Sequence, residues 1–143
     1  MSFELITRGA PEDRRSLPLN PSATPTILAG QVLQKDPATG FAVLADGAAV
    51  VPDPMWAFTK TARLDVGVAK SITVVEAPFL AKVNADGYVG TPAAGNALVI
   101  DTGANKGKLK VQAVAAVADL QAVVAYCVKA PDANGVIEIK AIR

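Results

Sequence analysis

Hydrophobic and polar residues alternate over residues 120–143 in the manner of two β-strands. Successive side chains of a strand point to opposite faces, so each strand is predicted to have one apolar face. These faces are Leu120, Ala122, Val124, Tyr126 and Val128 on the first strand, and Ile137, Ile139 and Ala141 on the second. Asn134 and Gly135 between them favour a tight turn, since both residue types tolerate a positive φ. A hairpin alone is marginally stable in water, so we expect further strands to cover it.

Short apolar runs bounded by glycine, proline, asparagine and aspartate continue this pattern upstream. Such punctuation is typical of strands joined by turns. The predicted strands cover residues 26–34, 41–45, 55–59, 71–76, 79–83, 97–101 and 108–114. Residues 84–87 are predicted to form a second hairpin turn, and residues 61–70 a loop. About nine or ten short strands at this spacing predict an all-β fold, either a β-sandwich or a barrel.

The longest apolar stretch, residues 111–128, is interrupted by Gln112, Asp119 and Gln121. A membrane-spanning helix needs about 20 mostly apolar residues, so none is predicted here. The stretch favours a strand on either side of a break at Asp119, with a short buried helix as the alternative. The first residues also lack the basic region and apolar run of a signal peptide.

The first 25 residues differ from the rest because they contain four prolines, which fix φ and lack an amide donor. Neither a helix nor a central strand is expected to run through them. We predict an extended proline-rich arm over residues 1–25 and a single β-sandwich domain over residues 26–143. The arm is either a disordered tail or a segment that docks on a neighbouring subunit. Docking is favoured by its apolar residues, which a solvated tail would not need: Phe3, Leu5, Ile6, Leu17 and Leu19.

The only tryptophan, Trp56, lies between Met55 and Phe58 in a predicted strand. It is either a core anchor or a contact hot spot, because tryptophan supplies a large contact area at low entropic cost. Stacking on a sugar or a base is a weaker interpretation, since a single aromatic platform gives it little support. We predict a protein interface formed by the five apolar residues of the arm together with Met55, Trp56 and Phe58.

The composition limits what the chain can bind. Its 143 residues suit a single domain of ordinary size. The net charge of +1 provides no field that would hold nucleic acid or an anionic membrane, so neither is expected as a partner. Charged residues make up 19% of the chain, below the usual ~25%. Alanine and valine are abundant, and their small side chains predict a thin core.

Candidates for catalysis are few. The chain has no histidine, which is the commonest general base and metal ligand. Cys127 is its only cysteine, and inside a predicted strand it is expected to be a buried, unreactive thiol. The aspartates at turn signals are expected to hydrogen-bond the backbone: Asp36, Asp46, Asp53, Asp86, Asp101, Asp119 and Asp132. We predict no enzymatic activity, no cofactor and no metal; a hydrolase with two carboxylates facing across a cleft is the alternative.

Three segments carry a resemblance to a known family. They are residues 27–33 (ILAGQVL), residues 101–109 with Asp-Thr-Gly before Gly-Lys-Leu, and residues 122–127 (AVVAYC) leading to Asp-Ala-Asn-Gly at 132–135. With a proline-rich arm ahead of an alanine- and glycine-rich β domain, the chain from residue 26 to residue 143 resembles the head-decoration, or cement, proteins of tailed bacteriophages. It is most similar to those of short-tailed phages, and the similarity is of overall pattern without a catalytic motif.

The resemblance implies a jelly-roll-like domain, often dimeric, that clamps adjacent capsid subunits. The expected function is non-enzymatic: the protein binds the major capsid protein on the outer surface of the assembled head, and binds itself as a homodimer rather than a trimer. The expected location is the capsid surface of the virion, after synthesis in the host cytoplasm. The alternative is a carbohydrate- or host-binding β-sandwich module of a phage fibre or tail, with Trp56, Tyr88 and Tyr126 as ligand platforms.

Overall fold

The computed structural model describes residues 3–5, 14–20, 26–28, 30–57, 63–65 and 70–143 of the chain. These residues form thirteen short β-strands, one α-helix and two short 3-10 turns. The strands are β1 (Glu4–Leu5), β2 (Arg14–Pro18), β3 (Thr26–Leu28), β4 (Val32–Lys35), β5 (Ala42–Leu44), β6 (Met55–Ala57), β7 (Arg63–Asp65), β8 (Ser71–Glu76), β9 (Phe79–Val83), β10 (Ala97–Ile100), β11 (Leu109–Val111), β12 (Ala125–Lys129) and β13 (Ile137–Ala141). The helix is α1 (Val117–Ala122), and the 3-10 turns are Ala85–Gly87 and Gly103–Asn105.

Two antiparallel sheets pack face to face through a shared hydrophobic core. The six-stranded sheet has the order β1-β9-β13-β12-β10-β11, and the five-stranded sheet has the order β2-β8-β6-β4-β5. β3 and β7 form a separate two-stranded ribbon. The prediction of an all-β sandwich is confirmed. The barrel alternative is wrong, because each sheet ends in two edge strands and does not close on itself.

The core between the sheets is built from alternate positions along their strands. Ile137, Ile139 and Ala141 face it from β13, as the sequence pattern predicts, and all three are fully buried. On the other sheet Trp56 is fully buried, with its ring 5.1 Å from that of Phe79 at an edge-to-face angle of 89°. Such aromatic pairs add about 0.5–1.5 kcal/mol beyond the burial of area.

A second hydrophobic core covers the outer face of the five-stranded sheet. Met55 and Val74 point into it because their strand neighbours Trp56 and Val75 point into the first core. Ile27, from the β3–β7 ribbon, is 1% exposed and belongs to the same cluster. The ribbon therefore covers a sheet face that would otherwise meet solvent.

The N-terminal residues complete both sheets. β1 pairs with β9 at one edge of the six-stranded sheet, and β2 pairs with β8 at one edge of the five-stranded sheet. Phe3 lies in the core between the sheets, and Leu17 and Leu19 lie in the second core. This differs from the arm predicted over residues 1–25, since the described part of that segment belongs to the sandwich itself. The rest of the segment lies outside the described residues.

Three local predictions fail where the chain changes direction. The strand predicted over residues 26–34 is two strands, β3 and β4, separated at Gly30, whose φ of 85° favours glycine. The predicted loop 61–70 contains β7, which pairs with β3. Residues 84–87 form a 3-10 turn instead of a hairpin turn, and Tyr88 then bridges to β11 rather than returning along β9.

The strand predicted to begin at Leu120 begins as a helix. α1 occupies Val117–Ala122, and β12 starts only at Ala125. The alternation of the strand is therefore out of step with the prediction: Ala125 and Cys127 face the core, whereas Tyr126 faces outward. The alternative of a short helix gave the right element type, but none of its residues is buried.

Gly47, in the connection that follows β5, lies against the backbone of the other sheet. A Cβ atom at this position would overlap the carbonyl oxygen of Ile100, at the end of β10. The amide of Gly47 also donates to the carbonyl oxygen of Asp101 at 3.1 Å. The two sheets are thus held together at this corner by a backbone contact that leaves no room for a side chain.

We expect Gly47→Ala to destabilise the fold by about 3 kcal/mol or more, because a backbone carbonyl cannot move aside as a flexible side chain can. Denaturant unfolding measures the loss. Gly95→Ala is the matched control, since Gly95 has a φ of 89° but open space around the added Cβ. It should lose only the backbone strain of about 1–2 kcal/mol. Equal losses for the two variants would show that the close approach at Gly47 does not matter.

Candidate functional site

Most of the residues predicted for an interface are buried in the cores of their own chain. They are Phe3, Leu17, Leu19, Met55 and Trp56, and none is more than 6% exposed. The side chain of Leu5, and the whole of Ile6 and Phe58, lie outside the described residues. The structure gives the buried residues a role in folding, and a role in contacting a partner stays a prediction.

The three aromatic residues considered as ligand platforms do not form an open surface. Trp56 is fully buried, and Tyr88 is 8% exposed. The hydroxyl of Tyr88 donates to the carbonyl oxygen of Gly135 at 2.6 Å, which ties the turn after β9 to the β12–β13 turn. Tyr126 is half-buried and packs against the cluster that includes Val123. A sugar ring stacks on an exposed aromatic face, and these residues do not share one.

An apolar ridge, residues 111–120, runs from the end of β11 through an extended segment into α1. Its large side chains recur at every third position, and their exposed fractions are 41% for Val111, 46% for Val114, 72% for Val117 and 53% for Leu120. The four alanines between them are exposed as well. Large exposed apolar side chains grouped along one segment of a protein are candidates for a site of interaction. The ridge is therefore the candidate functional site.

Asp119 fixes the shape of the ridge. Its Oδ2 accepts hydrogen bonds from the amides of Ala115 and Ala116, both at 3.0 Å, and so satisfies donors at the start of the helix. The amide of Leu120 then donates to the carbonyl oxygen of Ala116 at 3.3 Å. A six-residue helix is not stable alone in water, so these bonds help to hold Val117 and Leu120 in place.

The other end of the helix is anchored on the outer face of the six-stranded sheet. Val123 is 1% exposed and packs with Ala97 and Val99 of β10, while Ala122 and Tyr126 pack against this cluster. An ordinary surface helix buries its large apolar side chains and exposes polar ones. Here the helix is anchored through Ala122 and Val123, whereas its large apolar side chains, Val117 and Leu120, are exposed to solvent. These two side chains are therefore available to a partner.

A cleft of about 180 Å³ lies between α1 and the loop after β5. Arg143 spans it, donating from Nε to the carbonyl oxygen of Val123 at 3.4 Å and from Nη1 to that of Val51 at 3.0 Å. Val50, on the same loop, also lines the cleft and is 50% exposed. The cleft thus joins the base of the ridge to a further exposed apolar residue.

Lys110, which also lines the cleft, is paired within the chain. Its Nζ lies 3.1 Å from Oδ1 of Asp101, and the amide of Thr102 donates to the same oxygen at 2.8 Å. Burial acts to raise the pKa of Asp101, but hydrogen bonds from Thr102, Lys110 and Asn105 and the charge of Lys110 together hold this pKa below its usual value. The charged side chains of Lys110 and Asp101 are therefore already paired with each other within the chain.

We expect Asp101 to contribute stability above its unfolded-state pKa of about 3.9 and to lose this contribution as pH falls through its lower folded-state pKa. Asp101→Asn removes the ion pair at every pH, so it should cost about 1 kcal/mol of unfolding free energy at pH 7. Because the variant has no carboxylate to protonate at this position, the acid side of its stability curve should be flatter than that of the wild type. Denaturant unfolding between pH 7 and pH 2 measures this. Asp53→Asn, at an exposed aspartate, is the control and should keep the wild-type curve. An Asp101→Asn curve parallel to wild type at every pH would contradict the assignment.

Five of the seven aspartates that were predicted to bond the backbone do so: Asp36, Asp46, Asp101, Asp119 and Asp132. The described part of the chain shows no such bond for Asp53 or Asp86. Asp36, Asp46 and Asp132 each accept the amide two residues further on, at 2.8–3.0 Å. The carboxylate of Asp132 accepts hydrogen bonds from the amides of Val136 and Asn134, and these bonds lower the pKa of Asp132. These carboxylates are committed to local structure.

Other candidate chemistry is sparse in the described part of the chain. Cys127 is buried, and this burial raises the pKa of its thiol, which disfavours the nucleophilic thiolate. No group of three or more histidine, cysteine, aspartate or glutamate residues in the described ranges could hold a metal ion. The helical segments that the structure describes include none long and apolar enough to span a bilayer.

Comparisons with protein-family models, with curated proteins and with solved structures gave no match. The candidate site is therefore defined by its own surface chemistry. The sequence pattern does not reveal it, because that pattern predicts strands over residues 108–114 and 120–128, whose apolar side chains would face a core. The available signal was the spacing of three between Val111, Val114 and Val117, which does not fit a strand period of two.

Proposed function

We propose that this chain is a non-enzymatic capsid decoration protein. It binds the outer surface of an assembled phage head and stabilises the head by clamping neighbouring subunits of the major capsid protein. The observation that carries the proposal is the apolar ridge, an exposed surface, held by the hydrogen bonds of Asp119, with the chemistry of a protein contact. The partner comes from the resemblance of residues 26–143 to phage cement proteins.

The ridge matches the centre of a protein interface in composition. Interface centres are depleted of charge and rich in apolar area. The only charged residue in the ridge is Asp119, which is half-buried and already hydrogen-bonded. Exposed alanines between the large side chains let a partner's backbone approach closely. Because the ridge is held in place before binding, little ordering entropy is lost on contact.

Repetition over a shell compensates for a small contact. A stable interface buries roughly 800 Å² per partner, more than a ten-residue ridge offers by itself. A decoration protein that clamps two capsid subunits makes one contact with each of them. Once the first contact has formed, the effective concentration for the second is high, so overall binding is tighter than either contact alone would give. A decoration protein that bridges two capsid subunits uses this effect to hold the subunits together.

A carbohydrate-binding module of a fibre or tail is the alternative, and one observation weighs against it. The platforms it needs include Trp56 and Tyr88, which are 0% and 8% exposed. A ligand could reach them only if the core opened. We therefore prefer the decoration protein.

Co-sedimentation with heads tests the proposal. Heads assembled without this chain, from the major capsid protein of the same phage, are mixed with the purified protein at increasing concentration. We expect saturable binding and a higher temperature of head disruption. Failure to bind up to the solubility limit would overturn the proposal, and glycan-array binding by the same preparation would favour the alternative.

A further inference from the structure

The chain contains a single Asn-Gly pair, Asn134-Gly135, in the turn between β12 and β13. Asparagine is chemically labile because the backbone nitrogen of the next residue can attack its side-chain amide carbon. Glycine leaves that nitrogen unshielded, since it has no Cβ. Asn134 is exposed, and its side chain makes no hydrogen bond with the described part of the chain. The side-chain carbon of Asn134 is therefore open to attack.

Both backbone groups of Gly135 are held by hydrogen bonds. Its N–H donates to the carbonyl oxygen of Asp132 at 3.0 Å, and its carbonyl oxygen accepts a hydrogen bond from the hydroxyl of Tyr88 at 2.6 Å. A Cβ at Gly135 would lie 3.6 Å from Cβ of Ala85 and 3.7 Å from the hydroxyl oxygen of Tyr88, so this residue rests against the 3-10 turn Ala85–Gly87. The nitrogen that would attack is thus held in place.

The carboxylate of Asp132 holds the remaining amides of this turn. Its Oδ1 accepts hydrogen bonds from the amide of Asn134 at 2.8 Å and from that of Val136 at 3.0 Å. The amide of Asp132 donates in turn to the carbonyl oxygen of Val136 at 3.0 Å. Attack on Asn134 requires the N–H of Gly135 to release Asp132 and give up its proton. The reaction therefore proceeds from a locally opened turn.

We propose that Asn134 is a site of spontaneous deamidation, which the folded turn slows through the hydrogen bonds of Tyr88 and Asp132. The nitrogen of Gly135 forms a bond to Cγ of Asn134 and loses its proton, while the bond from Cγ to Nδ2 breaks and ammonia leaves. Water then opens the cyclic succinimide at either of its carbonyl groups, which gives aspartate or isoaspartate. The net reaction exchanges ammonia for water and needs no oxidant, reductant or cofactor.

The isoaspartate product changes the turn that slowed its formation. Isoaspartate routes the main chain through the former side chain and so lengthens the chain by one methylene group. The carbonyl oxygen of Gly135 is then displaced from the hydroxyl of Tyr88, and the contact between the two turns is weakened. The inference concerns chemical ageing of the chain and is independent of the proposed function.

We expect Tyr88→Phe to deamidate at Asn134 about fivefold faster than the wild type, because loss of one hydrogen bond raises the population of the opened turn by about that factor. The full chain is incubated in mildly alkaline buffer, and peptide mass spectrometry with isoaspartate detection follows the conversion. The wild-type chain unfolded in denaturant should react faster than either folded protein. Asn84, which alanine follows in the neighbouring turn, is the internal reference and should stay unmodified.

Tyr126→Phe is the matched control, because the hydroxyl of Tyr126 makes no hydrogen bond with the described residues, and it should react at the wild-type rate. Leu19→Ala weakens the second core but leaves the turn intact, so it distinguishes local opening from global unfolding and should also stay near the wild-type rate. Equal rates for the folded and unfolded wild type, no acceleration in Tyr88→Phe, or faster conversion in Leu19→Ala than in Tyr88→Phe would each overturn the inference.

Discussion

A chain that begins at Thr26 is expected to lose cooperative folding. Removal of residues 1–25 takes away β1 and β2, an edge strand from each sheet, together with the side chains that the described part of this segment buries, Phe3, Leu17 and Leu19. Truncation of Phe3 to alanine in such a core costs about 3–5 kcal/mol, and truncation of Leu17 or Leu19 about 2–5 kcal/mol each. Domains of this kind are stable by only about 5–15 kcal/mol in total. The segment therefore accounts for a large part of the stability.

Circular dichroism and denaturant unfolding of the shortened chain measure this effect. Leu19→Ala in the full chain is the graded version and should lose about 2–5 kcal/mol while the chain stays folded. Ile142→Ala, at a side chain that is 43% exposed, is the control and should change stability by no more than about 0.5 kcal/mol. A shortened chain with the wild-type unfolding midpoint would mean that the N-terminal strands are dispensable for the fold.

Val117→Asp and Leu120→Asp are each expected to weaken binding to heads by at least about 100-fold. A hot-spot side chain contributes roughly 2 kcal/mol or more, and an unpaired carboxylate in an apolar contact adds a desolvation cost. Folding should be unaffected, since Val117 is 72% exposed and Leu120 is 53% exposed. At Val117 the new carboxylate lies in the first turn of α1, where the helix dipole favours negative charge. Co-sedimentation with heads provides the measurement.

Val128→Asp is the matched control for these two variants. Val128 is 47% exposed on β12, outside the apolar ridge, and the same substitution there should leave head binding near wild type. Unfolding curves of all three variants show whether weaker head binding comes from loss of the contact with the capsid or from loss of folded protein. Wild-type binding by both ridge variants would show that the ridge does not contact the capsid.

The sequence predicted the strands whose apolar residues alternate between well-defined turns. β13 is the clearest case, because Ile137, Ile139 and Ala141 alternate with polar residues after Asn134-Gly135. Gly135 has a φ of 75°, the positive value that the turn signal implies. Local chemistry decides such elements, so local sequence is sufficient to find them.

The role of the N-terminal segment was not predictable from its prolines. Proline excludes a central strand, but an edge strand tolerates it because one side of the strand makes no ladder bonds. Pro18 ends β2 opposite Ser71, at the edge of the five-stranded sheet. Its neighbours Leu17 and Leu19 then reach the second core. Whether such leucines are buried by their own chain or by another is decided by tertiary contacts that the sequence pattern does not contain.

The apolar ridge was missed for a related reason. Pattern reasoning assigns apolar residues to a core, and Val111, Val114, Val117 and Leu120 break that rule by remaining exposed. The sequence pattern predicts a turn at Asp119, whereas its carboxylate accepts hydrogen bonds from the amides ahead of the first turn of a helix. Local conflicts between pattern and structure of this kind are expected at functional sites.

Electron microscopy of decorated heads shows which surface of the protein meets the capsid, which we propose to be the apolar ridge. We expect density for the sandwich on the outside of the shell, with α1 and residues 111–120 against the major capsid protein. A sandwich attached through another face, with α1 turned to solvent, would contradict it.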